Sequence, residues 1–313
     1  MPLNQMFGLS VESEFPFEDF PPALGETQAS VRLGEIPHSI PAQIPPIIID
    51  KVGLKIFISD KEFLRINILN PARNLYIRNG TEIVLSQHFK RNTKFSKREK
   101  LQLLEFAFLQ LWGQRGAIQF HASCVRMGGQ AFLFFGKPGA GKTTISAALL
   151  ARGHDKLSDD NAAITFDEKG HFFAVPFCTY QSVRPETADF FNLPNYPDDW
   201  DIEQGKFVLK ALTRSPQPVP IGAFFFVIPE NISEPKCSLA LGLEKMHILF
   251  ESSRTKELFS VKNNIDCSNI QAPSILSHLA KSLPFYKISR STISPPHALA
   301  NYLEASFLKK SSN

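Results

Sequence analysis

The stretch Gln130-Ala-Phe-Leu-Phe-Phe-Gly136-Lys137-Pro138-Gly139-Ala140-Gly141-Lys142-Thr143-Thr144 decides how this chain is read. A strand-length apolar run enters it, and a helical pattern from Thr143 to Ala151 leaves it. Between them, Gly136 to Thr143 satisfies G-x-x-x-x-G-K-[ST], a phosphate-binding loop. The glycines let the backbone turn with φ > 0 and come close to phosphate oxygens. The loop N–H groups form an anion cradle, and the helix that follows adds the positive end of its dipole. Lys142 is expected on the β- and γ-phosphates, and the Thr143 hydroxyl on Mg²⁺. Gly136, Lys137, Pro138, Gly139, Ala140, Gly141, Lys142, Thr143 and Thr144 therefore form the expected nucleotide-binding set, with ATP and Mg²⁺ as its ligands.

Before the loop, Ala117 to Val125 and Gln130 to Phe135 read as strands joined through Met127-Gly128-Gly129. Gly-Gly between apolar runs predicts a tight antiparallel turn. The loop strand then has an antiparallel neighbour, and the sheet is mixed. His121 falls on that neighbour. A strand histidine is often a core residue, but this one is placed near the expected phosphates. After the loop, Gly153 suits a left-handed helix end, and a short strand runs into Ser158-Asp159-Asp160. Two carboxylates at a strand's carboxyl end can divide labour, one on Mg²⁺ and one accepting a proton from an attacking hydroxyl. A polar turn or helix cap is the plainer use of such a pair. Ala162 to Phe166 and His171 to Val175 read as a second hairpin, followed by alternating strands and helices.

Residues 1–92 read as a β-rich N-terminal region, and 93–313 as the loop-bearing domain. Asn79-Gly80 between Leu75-Tyr-Ile-Arg and Glu82-Ile-Val-Leu is a hairpin signal. Pro37 to Pro46 holds four prolines and reads as an extended connector. Residues 98–114 show helical spacing at Leu101, Leu104, Phe108, Leu111 and Trp112, with Gly113 and Gly116 as its end.

Composition narrows the class. Hydrophobic residues make up 43% and charged residues 20%, which supports a packed core. The 28 phenylalanines cluster in runs such as Phe134-Phe135 and Phe224-Phe225-Phe226, as expected of buried strands. Net charge is +4, and the densest basic stretch (Lys90, Arg91, Lys94, Lys97, Arg98, Lys100) holds a single aromatic, Phe95, and no interleaved series of them. It reads as a solvated loop and helix start, and no nucleic-acid partner is expected. Cys124, Cys178, Cys237 and Cys267 have no metal-ligand spacing. With no signal-peptide pattern, they suggest a reduced, cytoplasmic protein. No apolar run approaches the ~20 residues of a membrane helix.

The run His121-Ala-Ser, Gly136 to Thr143, Arg152-Gly153-His154 and Leu157-Ser-Asp159-Asp160 resembles the catalytic domain of HPr kinase/phosphorylase in order and spacing. It is most similar to the HPr-kinase-related proteins of bacterial peptide-modification clusters, including lasso-peptide kinases. Phe7-Gly-Leu-Ser-Val-Glu-Ser-Glu-Phe-Pro-Phe and Val31-Arg-Leu-Gly34 carry that likeness in the first half. The resemblance implies an α/β fold, with a mixed-sheet P-loop domain of the HPr kinase/phosphoenolpyruvate carboxykinase type. It implies Asp159 as the catalytic carboxylate, Asp160 as metal partner, Lys142 on the phosphates, Thr143 on metal and His121 near the transferred phosphate. The family's assembly implies a homo-oligomer. Lys206 and Lys210 are similar to lysines placed near the nucleotide. The family's signature after the Asp pair, an acidic residue then Ile-Arg-Gly-Leu-Gly, is absent. Tyr180-Gln-Ser-Val-Arg184-Pro185 stands in that region, with Arg184 as a candidate phosphate contact, and this departure argues against HPr itself as acceptor.

The reading that results is an ATP-dependent kinase acting on a hydroxyl, serine above all, of a peptide or small protein. Two alternatives stay open at this point: a kinase of free serine, and a nucleotide-binding switch without transfer.

Overall fold

The structure is a computed structural model. It describes the chain except residues 16, 18, 42–46, 50–52, 60, 92–95, 178–179, 194–199, 202–204, 211–215, 254–271, 294 and 309–313. Cys178, Cys267, Lys94 and part of the Pro37–Pro46 connector lie outside the described residues. The chain forms two compact units, one running Met1–Ala117 and the other beginning at Ile118.

In the first unit the strands are β1 (Leu3–Met6), β2 (Leu9–Ser13), β3 (Ala29–Gly34), β4 (Ile47–Ile49), β5 (Leu54–Ile58), β6 (Glu62–Asn67), β7 (Leu75–Arg78) and β8 (Glu82–Ser86). They make one sheet in the order β1-β2-β3-β8-β7-β6-β5-β4. The Asn79-Gly80 hairpin forms as expected, with Arg78 opposite Glu82 and both turn residues at positive φ (55° and 63°). Three residues, Asn79, Gly80 and Thr81, separate the paired ends, and the Thr81 N–H donates to the Arg78 carbonyl at 3.1 Å to close the turn. After the short helix α1 (His88–Arg91) comes α2 (Lys97–Gln114). Ser96 starts α2 through a capping box with Glu99. The helix matches the expected 98–114 to within one residue, and Gly116 (φ 86°) makes the turn beyond. Helix α2 packs on β7 and β8, so the compositional boundary at 92/93 falls inside this unit.

The second unit begins with β9 (Ile118–His121), β10 (Ser123–Met127) and β11 (Gln130–Phe135), then α3 (Lys142–Ala151) and β12 (Asp155–Ser158). There follow β13 (Asn161–Phe166), β14 (Phe172–Ala174), β15 (Tyr180–Val183), α4 (Pro185–Phe190), β16 (Trp200–Asp201) and β17 (Lys206–Lys210). The remainder is β18 (Val219–Glu230), β19 (Lys236–Leu239), α5 (Gly242–Ser252), α6 (Ala272–Ser282), β20 (Phe285–Ser291) and α7 (Pro296–Phe307). The main sheet runs β12-β10-β11-β18-β14-β13-β9, with β20 also on β18 and β19 on β20.

This sheet is mixed. β10 and β11 form the expected antiparallel hairpin, turning at Gly128 (φ 52°) and Gly129 (φ 85°), while β18 lies parallel to β11 and β20 parallel to β18. The phenylalanine runs fill both faces of the two central strands. Phe135 and Phe224 pack in one core cluster, Phe134 and Phe225 in the other, and all four are fully buried. A strand covered on both faces reads as a continuous apolar run rather than an alternation.

One expectation fails here. Ala117 to Val125 is not a single strand. The chain bends at Ala122, so β9 pairs with β13 while β10 pairs with β11 and β12. The same bend recurs opposite, at Asp159-Asp160 between β12 and β13. At the bend Ser123 Oγ donates to the Ser158 carbonyl (3.3 Å) and Ser158 Oγ to the Ala122 carbonyl (3.4 Å). These hydroxyls are buried, and each other's backbone supplies the partner they require.

Among the described residues no helix is long and apolar enough to cross a membrane. Cys124 is buried and Cys237 half-buried, both as free thiols. Burial pushes both thiols up, Cys237 to about 11, so neither is a reactive nucleophile near neutral pH.

Candidate phosphate-loop site

β11 ends at Phe135, and the chain turns at Gly136 with φ 153°. A Cβ there would lie 2.9 Å from the Val227 carbonyl oxygen and 3.0 Å from the Ala140 Cβ. Only glycine lets the loop start this close to the neighbouring strand β18. Lys137, Pro138 and Gly139 are exposed, while Ala140 is buried beneath them. Gly141, at φ 99°, precedes the first turn of α3, and no side chain caps that end. The unsatisfied N–H groups of the first turn are thus left for an anion.

Lys142 is buried (7% exposed), and its ammonium donates to the Gly136 carbonyl at 2.8 Å. The side chain therefore folds back over the loop it belongs to. Thr143 and Thr144 are half-buried. The far end of α3 is closed by Gly153 (φ 87°), whose N–H meets the Leu150 carbonyl while His154 N–H meets that of Leu149. Arg152 and His154 both engage Glu304 on α7, and the Arg152 bond holds that carboxyl below its usual range. The Arg152-Gly153-His154 run thus anchors the end of α3.

β10 is antiparallel to both β11 and β12, so the carboxyl ends of β11 and β12 share one edge of the sheet. β12 is not the direct neighbour of the loop strand, because β10 intervenes. Asp159 nevertheless leaves that edge with the loop. Its Oδ1 accepts from Lys156 Nζ at 2.5 Å, and its Oδ2 from the Ser182 backbone N–H at 3.1 Å. Asp160 is exposed and has no hydrogen-bond or ion-pair partner among the described residues. The sequence places His121 on the strand paired with the loop strand, and the structure corrects this: that strand is β10, whereas His121 is on β9, which pairs with β13. It ends β9 and stands opposite Asn161, the residue after Asp160. The bend at Ala122 thus sets its backbone one register position from the carboxylate pair.

Strand β15 joins the two halves. Gln181, fully buried, donates to the Thr143 carbonyl at 3.5 Å, and its neighbour Ser182 holds Asp159. Gln181 Oε1 has no hydrogen-bond partner among the described residues. Arg184 is exposed at the start of α4, and among the described residues no hydrogen bond or ion pair joins its side chain to the loop. Lys206 and Lys210 lie on β17, which pairs with β15; their side chains lie outside the described residues.

Lys156, Gln181, Ser182 and Arg290 went unmarked in the sequence. Arg290, near the end of β20, donates through Nε to the Ala140 carbonyl at 3.0 Å and lies against Gly141. No short-range pattern points to it, since 150 residues separate the partners. Among the described residues no group of three or more His, Cys, Asp or Glu gathers into a metal cluster. A cation here would rest on Thr143, Asp160 and ligand oxygens, the few-ligand arrangement that Mg²⁺ uses with phosphates. A cavity of about 330 Å³ lies at the opposite end of β11, lined by Gln130, Phe132, Gly222 and Tyr286 among others. Its lining holds no titratable pair.

No family model matches the chain, and no curated protein matches it. Among solved structures it is similar to the Hpr(Ser) kinase/phosphatase from Coxiella burnetii. That likeness has 13% identity and a TM-score of 0.32, and it covers 61% of this chain and 97% of the other. So distant a likeness assigns no role to any residue.

Proposed function

We propose that this chain is an ATP-dependent kinase that transfers the γ-phosphate to a hydroxyl, serine first, of a peptide or small protein. One observation carries the reading. A glycine loop with a buried lysine folded over it opens on the sheet edge from which Asp159-Asp160 also leave.

In this reading the loop from Gly136 to Thr144 binds the phosphates through backbone N–H groups at the uncapped start of α3. Lys142 exchanges its bond with the Gly136 carbonyl for phosphate oxygens, a charge-assisted and stronger bond. Thr143 and Asp160 would hold Mg²⁺, which supplies positive charge against the phosphate oxygens when bound. Asp159 accepts the proton of the attacking hydroxyl and orients it in line with the bond that breaks. His121, opposite Asn161 in the strand register, is the candidate for a further contact to the transferred group.

The experiment is a transfer assay with γ-labelled ATP and Mg²⁺, offering precursor peptides encoded near the gene and, separately, free serine. Label on a peptide is the expected result. Label on serine alone makes this a small-molecule kinase, and no label on either with ATP still bound makes it a switch.

A further inference from the structure

Lys156 is the most completely buried charged side chain near the site, 1% exposed, on a strand that packs against α3. Its strand partner is Val125 and its neighbour is Leu157, both fully buried and apolar. Taking an ammonium out of water costs several kcal/mol. An apolar residue would fill this position at no such cost. The ammonium reaches Asp159 Oδ1 at 2.5 Å, and the other oxygen, Oδ2, accepts the Ser182 N–H. The carboxylate is therefore held at both oxygens, one from below by β12 and one from the side by β15. Each carboxylate oxygen can accept a second hydrogen bond, so Asp159 remains able to receive a substrate hydroxyl.

We infer that Lys156 is a positioning residue, whose buried ammonium fixes the direction in which Asp159 presents its carboxylate at the sheet edge. The inference rests on the reading of Asp159 as the group that meets the acceptor. Buried ion pairs contribute little net stability compared with apolar replacements, so a positional role accounts for a cost that packing alone does not.

The test compares full-length Lys156→Met, Lys156→Arg and Asp159→Asn with the unaltered protein. ATP turnover to water is measured with Mg²⁺ and no acceptor, giving kcat and KM separately, alongside the melting temperature. Lys156→Met is expected to stay folded and keep KM for ATP within about twofold, while kcat falls on the order of 10- to 100-fold through misplacement of the base. Lys156→Arg should recover part of that loss. Wild-type kcat in Lys156→Met, with Asp159→Asn inactive, would overturn the inference and leave the function standing. Wild-type kcat in Asp159→Asn would remove the base assignment, and the inference with it. If Lys156→Met does not fold, the double variant Lys156→Met/Asp159→Asn removes both charges together and should fold. Its kcat is then expected to match that of Asp159→Asn alone. A further drop of 10-fold or more on the order given above would show Lys156 acting without Asp159, against the inference.

Discussion

Asp159→Asn is expected to lower γ-phosphate transfer by about 10²- to 10⁴-fold, the usual contribution of a positioned general base. ATP affinity should stay within about twofold, because the loop supplies the phosphate contacts that set it. The substitution keeps the shape of the side chain, and its one amide oxygen can still accept the Ser182 N–H, which turns the amide NH2 toward the Lys156 ammonium. It removes the negative charge that pairs with Lys156 and the capacity to take up a proton. The expected signature is thus a loss in kcat with KM unchanged, read from initial rates over a range of ATP concentrations. A parallel loss in affinity would move Asp159 from the acceptor side to the nucleotide side of the site.

Gly136→Ala is expected to have the second large effect. The added Cβ would lie 2.9 Å from the Val227 carbonyl oxygen, a backbone atom of the central strand β18 that cannot swing aside. The φ of 153° also lies where L-residues carry strain, of order 1–3 kcal/mol. The loop must therefore move off β18 and carry the Gly136 carbonyl, the present partner of Lys142, with it. ATP binding should weaken by tenfold or more, about 1.4 kcal/mol, with a lower melting temperature. Calorimetric titration with ATP and thermal unfolding read the two effects separately. Unchanged ATP affinity would mean that the loop as described does not hold the phosphates.

What was legible in the sequence is what is local. The strand, loop and helix from Gln130 to Ala151, the Gly128-Gly129 turn and the Asn79-Gly80 hairpin each depend on residues within a few positions of one another. Glycines at positive φ mark them directly. The bend at Ala122 was not legible, because an alanine between two apolar segments carries no turn signal. It is imposed by the pairing of β9 with β13 (His121 with Asn161) and of β10 with β12 (Cys124 with Ser158), partners far apart in sequence. The neighbours of the site share this character. Lys156 reads as an ordinary charge in a short strand, and only the fold shows that it is buried against Asp159. Gln181, Ser182 and Arg290 reach the site through β15 and β20, whose places follow from sheet order and not from local pattern. The carboxylate pair was legible as a pair, whereas the pairing of His121 opposite Asn161 was not.

Binding of ATP to the unaltered chain and to Lys142→Ala, measured by titration calorimetry with Mg²⁺ present, tests the central claim most directly. Lys142 donates a buried, charge-assisted bond that phosphate oxygens would take over, and losing it should weaken ATP binding roughly tenfold to a hundredfold. The account predicts saturable binding of one ATP per chain and that loss in the variant. No binding to the unaltered chain, or equal affinity in both proteins, would contradict it.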